Sequence, residues 1–184
     1  YEQLPSLLQR GQGNVCGYYA VLHAIAQQVW PTEKAYRVGI AALEQHKEPC
    51  IAELQKIAGE SGWIDSDCIK RMLTDQSMWQ RVCDCFHRYT DVHVAQEVRQ
   101  NIVVLRQPNL LVASVGKSAI GTGTASAAMP VEALGNVEED VTRFLLTIGQ
   151  ALVGPEGLAQ PKRYSLIFGE GTHWATLAFT PDAQ

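Results

Sequence analysis

No stretch of this 184-residue chain approaches the roughly 18 consecutive apolar residues of a membrane-spanning helix. No run of basic residues is longer than Lys162-Arg163, and the formal net charge is −4 with a pI near 5.7. The chain therefore lacks the electrostatic footprint of a non-specific nucleic-acid binder, and so small a negative charge names no basic partner. Nothing from Tyr1 onward resembles a signal peptide. What the cysteines lack is framework spacing. Cys16, Cys50, Cys68, Cys83 and Cys85 are odd in number and irregularly placed, which suits a reducing compartment, the cytoplasm, better than a disulfide scaffold.

Familiar ligand motifs are missing too. Gly116-Lys117-Ser118 lacks the upstream glycine of a phosphate loop, and the Gly-Thr-Gly-Thr run after Ile120 reads as a flexible loop able to gate a groove. Cys83-Asp84-Cys85-Phe86-His87, with Cys68 upstream and His93 downstream, holds thiol and imidazole groups but not the Cys-x2-4-Cys spacing of a zinc site. The expectation is no metal and no cofactor.

What is present is enough apolar sequence, 46%, to bury the core of one domain. Leu4 to Leu8 reads as a turn of helix. A Gly/Asn loop (Gly11, Gly13, Asn14) then leads into a helix from Cys16 to Val29, ended by Trp30-Pro31-Thr32. Thr32 and Glu33 cap a second helix to about Gln45. A third runs from Cys50 to Ala58 and is closed by Gly59 and Gly62. Ser66 caps a fourth over Asp67 to Leu73, and a fifth covers Gln76 to His87. Residues 30–90 thus read as a helical subdomain within a single catalytic domain. Val92 to Leu105 is ambiguous between a helix end and a strand starting at Asn101. Leu110 to Val115 reads as a buried strand, Lys117 to Met129 as a loop, and Val137 to Val153 as a helix. Tyr164 to Phe168 and His173 to Phe179 read as two strands around Gly169-Glu-Gly-Thr. Helices first and strands later, with no βαβ alternation, predict an α+β fold: a helical layer on a small antiparallel sheet.

The stretch QRGQGNVCGYYAVLHAIA, residues 9–26, holds the chemistry. It delivers Cys16 to a helix start, where unpaired backbone N–H groups and the positive end of the dipole favour the nucleophilic thiolate. Such a thiol needs a base, an oxyanion donor and a group that orients the base. His173, at a strand start near the other end of the chain, is the candidate base. The Cys16 N–H and Gln12 are the candidate oxyanion donors, with Asn14 and Gln9 as further side chains. Trp174 reads as a groove wall or core packing. Tyr18 and Tyr19 read as packing, with one hydroxyl available to line the site. His23 lies about 10 Å along the helix from Cys16, out of reach, and reads as a core histidine satisfied by a backbone carbonyl.

Gln-Gly-Asn-Val-Cys-Gly-Tyr-Tyr-Ala resembles the nucleophile motif of ubiquitin-like deconjugating proteases. The SUMO proteases carry Gln, a short loop and Cys-Gly, and follow their catalytic His with Trp, as in His173-Trp174. Asn14-Val15-Cys16-Gly17, ending in Leu22-His23-Ala24, is similar to the ubiquitin C-terminal hydrolase motif. The order of Cys before His matches papain and the ubiquitin hydrolases, whereas SUMO proteases run His to Cys, so kinship with them requires a circular permutation. Two features depart from the pattern. Gln12 stands closer to Cys16, and Gln9 farther from it, than the family glutamine, whose place falls near Arg10. The family's third catalytic residue, an Asp or Asn, comes well after the His; here Asp182 is the acid downstream of His173, and Glu170 is a nearby alternative.

The resemblance implies a papain-like fold and a thiol hydrolase, a deubiquitinase or ubiquitin-like protease, acting on ubiquitin or a ubiquitin-like modifier in the cytoplasm. Bacterial effectors and viral proteins of this class would act in a host cytoplasm. A transglutaminase, deamidase or acyltransferase on the same Cys–His scaffold fits the same residues, and a non-enzymatic binding module with a structural Cys16 is the third reading.

Overall fold

Eleven of the 14 residues of helix α1 (Cys16–Val29) are buried. A helix that is apolar on nearly every side belongs inside a core rather than on its surface. This is the arrangement in the computed structural model, which describes Leu7 and the segments 14–106, 163–170 and 173–179. Both helices and sheet strands pack against α1.

The helical layer follows its caps. The Thr32 hydroxyl accepts from Ala35 N at 3.2 Å and opens α2 (Glu33–Glu44). Helix α3 (Lys47–Ala58) starts ahead of Cys50, because the Cys50 amide already donates to His46 O. Pro49 then falls in the first turn, where its missing N–H is no loss. Gly59 ends α3 at φ 75°, a left-handed conformation that glycine adopts without strain. In α4 (Ser66–Thr74) the cap is Asp65 and not the expected Ser66: the carboxylate accepts from Cys68 N at 2.7 Å. An anion there also gains from the helix dipole, which a hydroxyl does not. Asp75 caps α5 (Gln76–Thr90) by accepting from Met78 N at 2.8 Å. This helix runs past His87 and stops at Asp91, φ 56°.

Residues 30–90 form one wall of a common core. Leu43, Leu54, Met72 and Phe86 belong to the same buried cluster as Leu22, Ile25 and Ile167. Trp30 lies flat on Gly39, where a Cβ would come within 2.3 Å of the indole, and meets Phe86 at 5.5 Å between ring centroids. Among the described residues no helix is long and apolar enough to cross a membrane.

The ambiguous segment 92–105 is both things in turn: a 3-10 helix (Gln96–Asn101), then strand β1 (Ile102–Arg106). Strands β2 (Tyr164–Glu170) and β3 (His173–Phe179) form the expected antiparallel pair, with Glu170 opposite His173 and Gly169 opposite Trp174. The sheet as a whole is mixed, order β1-β2-β3, because β1 pairs with β2 in parallel; this corrects the antiparallel sheet expected from the hairpin. Parallel neighbours need a crossover of about a dozen residues or more, and the long stretch between Arg106 and Arg163 meets that requirement. The strand, loop and helix expected at 110–115, 117–129 and 137–153 lie outside the described residues, as does the turn at 4–8 apart from Leu7.

Three contacts fix how the hairpin lies along α1. Near the C-terminal end of α1, Gln28 Nε2 donates to Ser165 Oγ at 2.9 Å and to Arg163 O at 3.2 Å. Midway, Thr176 Oγ1 donates to Ala20 O at 3.1 Å. At the N-terminal end, a Cβ on Gly17 would lie 3.3 Å from Trp174 Cδ1. From Gln28 to Gly17 is about 16 Å of helix, and from Ser165 to Gly169 about 13 Å of strand, so the two elements run alongside each other. The connected end of the hairpin, where Glu170 pairs with His173, therefore lies at the end of α1 that begins with Cys16.

Candidate active site

Cys16 is the first residue of α1 and is 4% exposed. The chain goes from exposed Asn14 through half-buried Val15 to buried Cys16. The N-cap is Val15, whose side chain makes no cap hydrogen bond; its carbonyl accepts from Tyr18 N at 3.1 Å and from Tyr19 N at 3.3 Å.

His173 is the first residue of β3. Its chain neighbour Trp174 packs on Gly17, the chain neighbour of Cys16. The fold thus brings the helix start that bears Cys16 and the strand start that bears His173, from opposite ends of the chain, to the same end of α1.

The contact depends on two glycines. A Cβ on Gly17 would sit 2.5 Å from Ile64 Cγ1, and one on Gly169 would sit 2.4 Å from Trp174 Cζ3. Together they leave a slot that the indole fills. Trp174 is 4% exposed, and its Nε1–H donates to Ile64 O at 2.8 Å. Of its two expected roles, core packing describes what is seen. Tyr18 does not line a groove: it is fully buried, and its hydroxyl donates to Glu60 O at 2.6 Å. Burial pushes its phenol up to about 12, so it remains a donor.

Three other cysteines are held as thiols. Contact with Cys85, then burial, pushes Cys50 up; burial leads the upward shifts of Cys68 and of Cys83, the latter to about 11. Cys50 and Cys85 face each other at 3.7 Å between sulfurs. Val82 to Phe86 is ordinary helix, and the His87 ring stacks on His93 at 3.8 Å. Among the described residues no three His, Cys, Asp or Glu converge as metal ligands would. Gln12, Gln9 and Asp182 lie outside the described residues, and Glu170 stands directly across the ladder from His173.

His23 has a different partner from the one expected. It accepts, at Nε2, from Leu7 N at 3.0 Å, instead of donating to a carbonyl. Burial lowers its pKa to about 4, against the pull of Glu44. A protonated ring could not accept from Leu7, so the folded chain keeps it neutral. Between the ordinary value of 6.5 and about 4 the unfolded chain binds the extra proton. The resulting stability is complete above about pH 6.5 and is lost as pH falls through 4. After allowing for partial exposure, about 2 kcal/mol is expected to disappear between pH 7 and pH 4.5. Urea unfolding of the native chain and of His23→Gln at both pH values checks this; an equal pH dependence in the two would sink it.

Sequence reasoning missed Ile64, Glu60 and Gly169. A carbonyl acceptor leaves no mark in a sequence, but a glycine inside a strand is a signal of close approach, and Gly169 carried it. No protein-family model matches this chain, and no curated protein or solved structure matches it either.

Proposed function

We propose that this chain is a papain-like cysteine hydrolase that cleaves after the C-terminal glycine of ubiquitin or a ubiquitin-like modifier. The observation that carries the reading is the meeting of Gly17 with Trp174, which brings the helix start bearing Cys16 to the strand start bearing His173. A nucleophile on a helix N-terminus beside a base on a strand edge is the arrangement that thiol acyl transfer needs.

In this mechanism the Cys16 sulfur attacks the carbonyl of the modifier's last glycine while His173 takes the thiol proton. The tetrahedral oxyanion is held by the Cys16 N–H and Gln12. Collapse breaks the C–N bond, and His173 passes the proton to the departing lysine amine, leaving a thioester. Water, deprotonated by His173, then releases the modifier's carboxylate and restores the thiol. Asp182, or Glu170 across the ladder, is the acid that would orient the imidazole. No cofactor enters any step. The α2–α5 surface is the natural place to recognise the modifier's globular part.

The test is a panel of modifiers carrying C-terminal electrophiles. One adduct, absent in Cys16→Ala, is expected, and the reacting modifier names the substrate. If Cys16 alkylates fast near neutral pH while no modifier probe reacts, the transglutaminase, deamidase or acyltransferase reading replaces this one. Slow, unselective labelling of all cysteines would leave a binding module.

A further inference from the structure

We infer that Trp174 is a positioning residue, through which the connector between α3 and α4 sets the spacing of Cys16 and His173; this rests on the hydrolase reading above. The two functional residues ride on different elements, and three contacts align those elements. Two of them, at Gln28 and Ala20, join the hairpin to α1 directly. The third, nearest the site, differs. The Trp174 indole packs on Gly17, but its N–H is held by Ile64 O, on a third element.

That third element grips both sides of the site. The Ile64 side chain occupies the space beside Gly17, the Ile64 carbonyl holds Trp174, and the Glu60 carbonyl accepts from the Tyr18 hydroxyl on the first turn of α1. The connector is itself anchored to α3: Gln55 Nε2 donates to Ser61 O at 2.8 Å, and Gln55 O accepts from Glu60 N at 3.2 Å. Ile64 is 1% exposed, so its side chain has nowhere to shift without moving Gly17 or the indole. A displacement of the connector is therefore passed to the residue after the nucleophile and to the residue after the base. A misplacement of about 1 Å in such a pair lowers a rate by about a hundredfold.

The test is the rate of iodoacetamide alkylation of Cys16, followed by peptide mapping from pH 5 to 9. It compares the native chain with His173→Ala, Trp174→Phe, Tyr18→Phe and Thr176→Val, and thermal unfolding is measured alongside. Trp174→Phe keeps an aromatic ring but removes the donor to Ile64 O and part of the indole that fills the slot between Gly17 and Gly169. Tyr18→Phe releases the connector at its other end. Thr176→Val removes a hydrogen bond between β3 and α1 away from the site, and is the matched control.

The native profile is expected to depend on His173. Trp174→Phe is expected to move that profile towards the one of His173→Ala and to slow alkylation near neutral pH about tenfold or more. Tyr18→Phe should shift it the same way by less, and Thr176→Val should leave it unchanged. If Trp174→Phe and Thr176→Val lose stability alike and both keep the native profile, Trp174 is packing alone and the inference is overturned, while the hydrolase reading stands. If Trp174→Phe does not fold, Tyr18→Phe decides, and an unchanged profile overturns the inference. If His173→Ala matches the native chain, the hydrolase reading falls and the inference falls with it.

Discussion

His173→Ala is expected to lower kcat/KM on a modifier amide substrate by about a hundred- to ten-thousandfold, the range that general acid–base catalysis supplies. This corresponds to about 3–5 kcal/mol of transition-state stabilisation, at about 1.4 kcal/mol per decade. Cys16→Ala is expected to reach background, because no other thiol can stand in. Cys50, Cys68 and Cys83 are held protonated by burial and contact, and Cys85 is buried against Cys50. KM should change little in either variant, since neither side chain is asked to hold the modifier's tail in the ground state. Both variants should unfold cooperatively near the native midpoint. A His173→Ala enzyme that keeps most of its kcat would remove His173 from the chemistry, and with it the significance of the Gly17–Trp174 contact.

Gly17→Val is expected to be the most damaging conservative change near the site. Replacing a helical glycine ordinarily stabilises, by up to about 1 kcal/mol for alanine. Here that gain is opposed by a Cβ placed 2.5 Å from Ile64 Cγ1 and 2.9 Å from its Cδ1, with Trp174 Cδ1 at 3.3 Å. Ile64 and Trp174 are both buried and cannot swing into solvent. Overpacking of this kind costs about 1–3 kcal/mol for one group, so the clash outweighs propensity even for alanine, and the two further methyls of valine exceed it. We expect Gly17→Ala to lose about 1 kcal/mol and Gly17→Val about 3 kcal/mol or more, read from urea midpoints at constant m. A Gly17→Ala chain more stable than the native one would show that Ile64 can move aside, and the slot for Trp174 would then be less tightly built than described. The same geometry gives a physical reason for glycine at position 17: it is the floor on which Trp174 rests.

Much of the helical layer was legible in the chain, because its signals are local. The start of α1 at Cys16, the Thr32 cap and the Gly59 stop are each written within a few residues. Asp65 takes the place of the expected cap Ser66, because both are good caps and only the carboxylate's added charge decides between them. His23 was given a carbonyl partner when it accepts from an amide, a choice that depends on which tautomer the fold selects.

By itself, then, the sequence determined the α+β character, the order of the five helices, the start of α1, the cap of α2, the stop of α3, the hairpin, and the two residues worth suspecting, since periodicity, caps and residue chemistry all act over a few positions. Only the tertiary structure decided the rest. It made the sheet mixed, because β1 and β2 pair across a long separation that no local pattern encodes. It ran the hairpin along α1 so that the His173 end lies at the Cys16 end. It also assigned the hold on Trp174 to Ile64 O, a main-chain atom that every residue possesses and that only three-dimensional packing can select.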